Sequence, residues 1–235
     1  VDDLLTVPTA ELAIGLLIGI ARHVMIGDRD IRAGRFTAWR PTLYGMGLAG
    51  RTVGIVGMGR VGQAIAQRLQ GFDATVLYAD DQAFDPVTGA PSHLKRAGFE
   101  ELICRADYIV LATPLTAETL HMIDRGAIDI MKPGAILVNP GRGSVVDEMA
   151  VSDALADGQL AGYAADVFEF EDWARADRPQ EIPQTLLAQP EKTLFTPHIG
   201  SAVTDIRKAI EAEAAKSILE ALRGGRPTGA VNDIS

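Results

Sequence analysis

Short, largely apolar runs of residues that favour strands recur along the chain after residue 50, at 52–57, 74–79, 108–113, 135–140, 162–168 and 193–198. They lack strict alternation of polar and apolar positions, which is typical of strands covered on both faces. Helical patterns lie between them, as at 63–72 and 147–159. Strands that alternate with helices predict right-handed crossovers and a parallel sheet in an α/β fold.

A longer apolar run at 12–20 precedes this region and is followed at once by Arg22 and His23. It is shorter than the ~20 residues that a membrane span needs, so it predicts a buried helix and no membrane partner. Pro8 and Glu11 suit the first turn of that helix, with Thr6 or Thr9 as its cap. The proline-containing stretch 84–93 predicts a surface loop.

Composition narrows the classes of partner. With 235 residues, 47% of them hydrophobic, the chain can bury the core of a large domain. Asp and Glu outnumber Lys and Arg by 31 to 22, and no dense basic stretch is present, which argues against a nucleic-acid partner. The single cysteine, Cys104, cannot form an internal disulfide and is expected to be a partly buried apolar residue. No targeting signature is apparent after Val1, so we expect a cytoplasmic protein.

The run "GMGRVG" at 57–62 follows the first predicted strand and opens a helix. In that context Gly57 makes a tight turn, Gly59 lets the backbone approach a pyrophosphate, and Gly62 allows the helix to pack on the sheet. Backbone N–H groups at the helix start, around Arg60 and Val61, would face the anion. The pattern predicts a dinucleotide-binding loop; the alternative is a set of turn glycines.

Asp80 ends the second predicted strand, about 20 residues after the glycines, where a dinucleotide site has an acidic residue. Its carboxylate would accept hydrogen bonds from ribose hydroxyls and repel a 2′-phosphate. Asp81 adds to that repulsion, so NAD is predicted rather than NADP. The alternative is a solvated pair of acidic residues.

Three polar residues follow later strands: Arg142, Glu171 and His198. Ligands of open parallel sheets bind beyond the carboxyl ends of the strands, so each is a candidate for chemistry. Taken singly, each also has an ordinary explanation. Arg142 could be a surface cation, Glu171 one of several neighbouring acids, and His198 a hydrogen-bonded loop histidine.

Together the segments "GRGSVVDE" (141–148), "AADVFEFED" (164–172) and "TPHIGSA" (196–202) resemble the signature segments of the D-2-hydroxyacid dehydrogenase superfamily. The resemblance runs from about Pro8 to the C-terminus, with the motifs in the expected order. It implies a Rossmann fold, that is, a doubly wound parallel sheet with flanking helices. Within the superfamily, "EDWARADRP" at 171–179 is similar to the phosphite dehydrogenases rather than to members that continue with "EP".

The resemblance implies a role for each candidate. His198 would be the general base and Glu171 the carboxylate that orients it, with Glu169 as the rival for that role. Arg142 would hold two oxygens of an oxyanion and aim the hydride donor at the nicotinamide. The matching positions for cofactor contacts are Thr113, Pro114 and Asp166, and those near the substrate are Trp39, Tyr44 and Arg207. No metal is implied.

The expected activity is therefore NAD-dependent oxidation of phosphite to phosphate. Two alternatives stay open: a D-2-hydroxyacid dehydrogenase of glycerate, glyoxylate or lactate type, and an NAD-sensing binding module like the corepressors of the same superfamily. The substrate is a small oxyanion in either enzymatic case.

The resemblance also implies a division of the chain and an assembly. Residues 1–49 would form a linking helix and arm, 50–198 the NAD-binding domain, and 199–235 a helix returning to a second, substrate-binding domain. That domain is expected to be largely missing from this chain. Members of the superfamily are dimers, so a homodimer is expected, with the first helix and the arm "RFTAWRPTLYG" (35–45) in its interface.

Overall fold

The computed structural model describes residues 2–39, 42–82, 94–227 and 230, and these contain one parallel sheet of seven strands. The spatial order is β3-β2-β1-β4-β5-β6-β7, and every neighbouring pair is parallel. The strands are β1 (Thr52–Val56), β2 (Thr75–Ala79), β3 (Leu94–Arg96), β4 (Tyr108–Leu111), β5 (Ala135–Asn139), β6 (Leu160–Ala165) and β7 (Thr193–Phe195). This order reverses direction between β1 and β4, as in a doubly wound fold.

Helices cover both faces of the sheet. They are α1 (Asp2–Ala21), α2 (Val24–Arg32), α3 (Arg60–Leu69), α4 (Phe99–Arg105), α5 (Arg125–Asp129), α6 (Glu148–Asp157), α7 (Gln184–Leu187) and α8 (Thr204–Leu222). One apolar cluster joins the sheet to α1 and α3, and the other joins it to α4, α5, α6 and α7. Because successive strand residues point to opposite faces, Tyr108 and Ile109 of β4 lie in different clusters. The predicted Rossmann architecture is confirmed.

The six predicted strands are all present, whereas β3 was not predicted. Its sequence is Leu94-Lys95-Arg96, too short and too polar for the apolar pattern that marks the other strands. It pairs only with β2 and forms the edge of the sheet, where polar side chains face water. The predicted surface loop at 84–93 lies outside the described residues.

The predicted start of the first helix is wrong. Helix α1 begins at Asp2, so Pro8 lies inside it and neither Thr6 nor Thr9 is its cap. An interior proline removes one backbone hydrogen bond and costs about 3 kcal/mol. Burial of side chains such as Leu16 and Leu17 offsets this cost, since each contributes about 1.5–3 kcal/mol.

Helix α1 packs on the sheet through a row of small and apolar side chains, as predicted for a buried helix: Ala10, Ala13, Leu16, Leu17, Ile20 and Ala21. By length and composition alone, its segment Leu4–Ala21 is also apolar enough to cross a membrane. The absence of a membrane partner therefore stays a prediction.

Cys104 and helix α8 are exposed to solvent. Cys104 is exposed, contrary to the expectation, because α4 turns its neighbours Leu102 and Ile103 toward the sheet instead. Helix α8 has no buried residue along its length and presents Ile218 and Leu222 to solvent. The predicted domain boundaries at 49 and 198 stay predictions.

Candidate active site

The first part of the site is a cleft of about 840 Å³ at the carboxyl ends of β1, β2 and β4. Its lining includes Gly57 and Gly59 after β1, Asp80 after β2, and Thr113 and Pro114 after β4. This is the point at which the strand order reverses, where doubly wound sheets bind nucleotides. Five of the predicted cofactor residues therefore lie together.

The glycine loop needs glycine at two positions for different reasons. Gly57 has φ +92°, and a Cβ there would lie 2.6 Å from the Ala112 carbonyl oxygen. A Cβ at Gly62 would lie 2.1 Å from the Gly57 carbonyl oxygen, so α3 could not pack against the loop. Gly59, by contrast, faces open space in the cleft. This combination fits a dinucleotide whose pyrophosphate approaches Gly59 and the start of α3.

Asp80 is held at the rim of this cleft by its own hydrogen bonds. Its Oδ2 accepts from the Met58 N–H at 2.6 Å, and its Oδ1 accepts from the Gln82 N–H at 2.8 Å. Arg96 donates to the Asp80 carbonyl oxygen at 2.9 Å. The contact with Met58 ties the acidic residue to the glycine loop, which fixes the carboxylate where a ribose would lie.

Replacement of Asp80 by Ala is expected to change cofactor preference. Loss of the carboxylate removes a repulsion of about 1–4 kcal/mol against a 2′-phosphate. The ratio of NADP to NAD affinity should therefore rise about tenfold or more, measured by calorimetry. Asp153→Ala, an exposed acid on α6, is the control that should leave the ratio unchanged. An unaltered ratio in Asp80→Ala would show that another group selects the cofactor.

A second cleft of about 420 Å³ continues from the first, with which it shares Gly59, Thr113 and Pro114. Arg60 and Val61 line it, and it extends to Asp166 and His198. The two clefts together form a continuous crevice, from the carboxylate of Asp80 to the predicted catalytic histidine. Every predicted cofactor residue except Gly62 lines this crevice. Gly62 contributes indirectly, because its lack of a side chain lets α3 pack against the glycine loop.

Asp166, 1% exposed, holds the turn that carries His198. Its carboxylate accepts from the Thr196 hydroxyl at 2.6 Å, from the Ile199 N–H at 2.8 Å and from the Gly200 N–H at 2.8 Å. The His198 backbone N–H donates to the Asp166 carbonyl oxygen at 2.8 Å. Asp166 therefore has a structural role beside the predicted contact with the nicotinamide.

The three predicted catalytic residues, Arg142, Glu171 and His198, line one cavity of about 250 Å³. His198 Nδ1 lies 2.6 Å from Glu171 Oε2, so Nε2 is the ring nitrogen left for a substrate. Glu169, the rival partner, bonds instead to His121 Nε2 at 2.7 Å. The geometry therefore selects Glu171 as the partner of His198.

The backbone conformation of His198 and the exposure of the three side chains are consistent with contact between these residues and a substrate. His198 has φ +53°, a left-handed conformation that is uncommon for a residue with a side chain and occurs often at functional sites. The imidazole is 53% exposed and the Glu171 side chain 22%. Arg142 donates one N–H to the Gly141 carbonyl oxygen at 2.7 Å, which leaves other guanidinium N–H groups for an oxyanion.

Trp39, Tyr44 and Arg207 do not line the three cavities described above. Trp39 and Tyr44 are 84% and 79% exposed, and Arg207 is exposed on α8. Their proximity to a substrate stays a prediction.

Trp173, which was not predicted as a site residue, lines the cavity of the catalytic residues. The Arg178 guanidinium lies 4.6 Å from the centre of its ring, and Arg178 also donates to the carbonyl oxygens of Phe170 and Arg175. A cation–π contact of this kind holds the ring in place. Both residues belong to the segment "EDWARADRP" (171–179), so this segment was the feature of the sequence from which Trp173 could have been identified as a site residue.

No group of three or more metal-ligating side chains occurs in the part of the chain that the structure describes.

A parallel sheet with a glycine loop at its switch point, and an Arg, Glu and His set beyond it, defines a nicotinamide-dependent dehydrogenase. The chain matches the family profile "D-isomer specific 2-hydroxyacid dehydrogenase, NAD binding domain" over residues 14–200. The chain belongs to this family of NAD-dependent oxidoreductases, and NAD is its cofactor.

Similar proteins agree with this assignment. A glyoxylate reductase of Pyrococcus horikoshii is 39% identical over 98% of this chain and 67% of its own length. The crystal structure of the TT0316 protein from Thermus thermophilus has a TM-score of 0.85 at 37% identity, with 97% of this chain and 69% of that one covered. A D-lactate dehydrogenase from Aquifex aeolicus, complexed with NAD and lactic acid, has a TM-score of 0.81 at 25% identity, with 92% and 66% covered. The chain thus spans about two thirds of the length of the relatives it matches.

Proposed function

We propose that this chain carries the cofactor site and the catalytic set of an enzyme that interconverts a small 2-hydroxy acid and its 2-oxo acid, with glyoxylate as the first substrate to test. The observation that carries the proposal is the meeting of Arg142 with the His198–Glu171 pair in one cavity, at the end of the NAD crevice. The names of the relatives support the 2-oxo acid, since the first of them are glyoxylate reductases.

In the direction of oxidation, Arg142 binds the carboxylate of the hydroxy acid through two N–H groups and so fixes the position of its C2. His198 Nε2 accepts the hydroxyl proton while C2 loses its hydrogen as hydride, and the C–O single bond becomes a carbonyl. Bound NAD supplies the acceptor for that hydride. Glu171 stabilises the imidazolium that forms, and in the reductive direction His198 returns the proton to the carbonyl oxygen.

Phosphite oxidation, expected from the sequence, is the second candidate. The relatives fit the hydroxyacid alternative better. The observation that favours phosphite is the segment 171–179, because Trp173 from it lines the catalytic cavity. In this reaction phosphorus would lose hydride and gain the oxygen of a water molecule, and His198 would accept the proton from that water.

One assay separates these substrates. NADH consumption with glyoxylate or hydroxypyruvate, and NADH formation with D-glycerate, D-lactate or phosphite, are measured in parallel with the longest natural product of the gene. Turnover of glyoxylate supports the proposal, and turnover of phosphite alone would replace it with the second candidate. NAD binding without turnover of any substrate would favour the NAD-sensing module.

Assembly as a homodimer is also proposed. The first helix and the arm expected in the interface leave large apolar side chains exposed, namely Val7, Phe36, Trp39, Leu43 and Tyr44, and helix α2 between them adds Val24, Met25 and Ile31. Burial between two copies of this chain would remove them from water. The absence of a nucleic-acid partner and the cytoplasmic location stay predictions.

The substitution Phe36→Asp tests this assembly, because a carboxylate in an apolar interface is costly to bury. The mass measured by light scattering should fall from that of a dimer to that of a monomer. Met149→Asp, which alters an exposed methionine on α6, should keep the dimer. A wild-type protein that is already monomeric at working concentration would refute the proposed assembly.

A further inference from the structure

Two loops carry the side chains of Arg142 and Glu171, and residues of both loops line the active-site cavity. The arginine loop, residues 141–147, leads from β5 to α6 and includes Arg142. The glutamate loop, residues 168–172, follows β6 and includes Glu171. The relative position of these loops determines where the oxyanion lies with respect to His198.

Two carboxylates reciprocally join the glutamate loop to the first residue of α6, directly after the arginine loop. Glu169 of the glutamate loop accepts from the Glu148 N–H through Oε1 at 3.1 Å. Glu148, the first residue of α6, accepts from the Glu169 N–H through Oε1 at 2.9 Å. Each carboxylate therefore satisfies the backbone N–H of the other residue, where an unpaired buried N–H would be costly.

The backbones of the two loops also pack closely against each other. A Cβ added at Gly143 of the arginine loop would lie 1.9 Å from the carbonyl carbon of Phe168. The next residue, Ser144, donates its N–H to Asp172 Oδ2 at 2.8 Å. The two loops are thus in contact at Gly143 and Ser144. The hydrogen bonds between Glu148 and Glu169 add a further connection at the end of the arginine loop.

The second oxygen of each carboxylate has a different environment. Glu169 Oε2 contacts His121 Nε2 at 2.7 Å and an Arg175 N–H at 3.2 Å. The His121 backbone N–H in turn donates to the Ser144 carbonyl oxygen at 2.8 Å, so His121 also spans both loops. Glu148 is fully buried, and its Oε2 has no hydrogen-bond partner among the described residues. A buried carboxyl oxygen without a donor favours the neutral, protonated acid.

We propose that Glu148 and Glu169 are positioning residues that lock the arginine loop to the glutamate loop and thereby set the distance from Arg142 to the His198–Glu171 pair. The proposal rests on the proposed function for its catalytic consequence, but the lock itself is a property of the fold. Neither residue lines the cavity of the catalytic residues, so both act through the loops that they join.

The titration of Glu148 provides a readout of the lock. Burial raises its pKa to about 7, and the negative charges of Glu169, Glu171 and Asp172 on the facing loop add to the rise. Among the described residues Tyr163 of β6 also faces it, and the pKa of Tyr163 is raised as well, mainly by burial. A folded-state pKa above the unfolded value means that Glu148 stabilises the fold fully below about pH 4.5 and loses this contribution as pH rises through about 7.

The test compares Glu148→Ala with the conservative variant Glu148→Gln. Gln retains an oxygen that can accept from the Glu169 N–H and is neutral like the protonated acid, so it should rescue most of what Ala loses. We expect Glu148→Ala to lower kcat/KM by about 10²-fold, as for a misplacement of about 1 Å, with NAD affinity unchanged. Glu148→Gln should also flatten the fall in Tm between pH 5 and pH 8. Asp153→Ala on the same helix is the control.

Hydrogen exchange tests the lock without catalysis. In Glu148→Ala the amides of both loops should lose protection, and in Glu148→Gln they should keep it. If Glu148→Ala does not fold, Arg175→Met at the edge of the network is the milder variant, and it should lower kcat/KM and expose the same amides. Wild-type exchange or wild-type kcat/KM in a folded Glu148→Ala, or in Arg175→Met where Glu148→Ala does not fold, would overturn the proposal. A wild-type protein without turnover would instead contradict the proposed function, and exchange would still decide on the lock.

Discussion

His198→Ala is expected to reduce turnover by about 10²- to 10⁴-fold, the usual contribution of a general base. In the proposed reaction the imidazole transfers the substrate proton, and Glu171 Oε2 lies 2.6 Å from its Nδ1. Affinity for NAD should change little, because the glycine loop, Asp80 and Asp166, which also line the crevice, are the residues predicted to bind the cofactor. Stopped assays for kcat and calorimetry for NAD affinity measure the two effects separately.

Glu171→Gln is the matched variant for this experiment. The amide oxygen can still orient His198, but the negative charge that stabilises the imidazolium is lost. The decrease in kcat should therefore be smaller than in His198→Ala. Retention of wild-type turnover by His198→Ala would remove the histidine from the catalytic set, whatever substrate is used.

Gly62→Ala is expected to lower both stability and NAD affinity. The added Cβ would lie 2.1 Å from the Gly57 carbonyl oxygen, which is backbone and cannot rotate away. Helix α3 would have to move from the loop, and overpacking of this kind costs about 1–3 kcal/mol or more. Both Tm and NAD affinity should fall, as measured by thermal unfolding and calorimetry.

Gly59→Ala separates cofactor contact from folding. Its Cβ would meet nothing within 4 Å and would point into the space where the pyrophosphate is expected. Tm should stay near the wild-type value while NAD affinity decreases. Gly71→Ala, which also adds a Cβ in open space but outside the clefts, should leave NAD affinity unchanged. A Gly62→Ala variant with wild-type Tm would contradict the close packing of α3 on the loop.

Local patterns were sufficient for the strands and for the glycine loop. Buried strands of a parallel sheet are apolar on both faces, so they are visible in sequence without knowledge of their neighbours. The strand β3 and the start of α1 were misjudged because a neighbouring strand or a buried helix face outweighs local preference there. Pro8 illustrates this, since its preference for a helix start yields to the packing of α1 on the sheet.

The sequence by itself determined the fold class, the dinucleotide loop with Asp80, and the identity of the three candidate catalytic residues. The resemblance favoured Glu171 as the partner of His198, but spacing left Glu169 as a rival because the two residues differ by two positions, and only the tertiary structure shows which of them contacts the imidazole. The contacts that separate them are His198 to Glu171, 27 residues apart, and His121 to Glu169, 48 apart. Contacts over such separations depend on how the loops fold back over the sheet, which no local pattern of residues specifies. The same holds for the reciprocal bonds of Glu148 and Glu169.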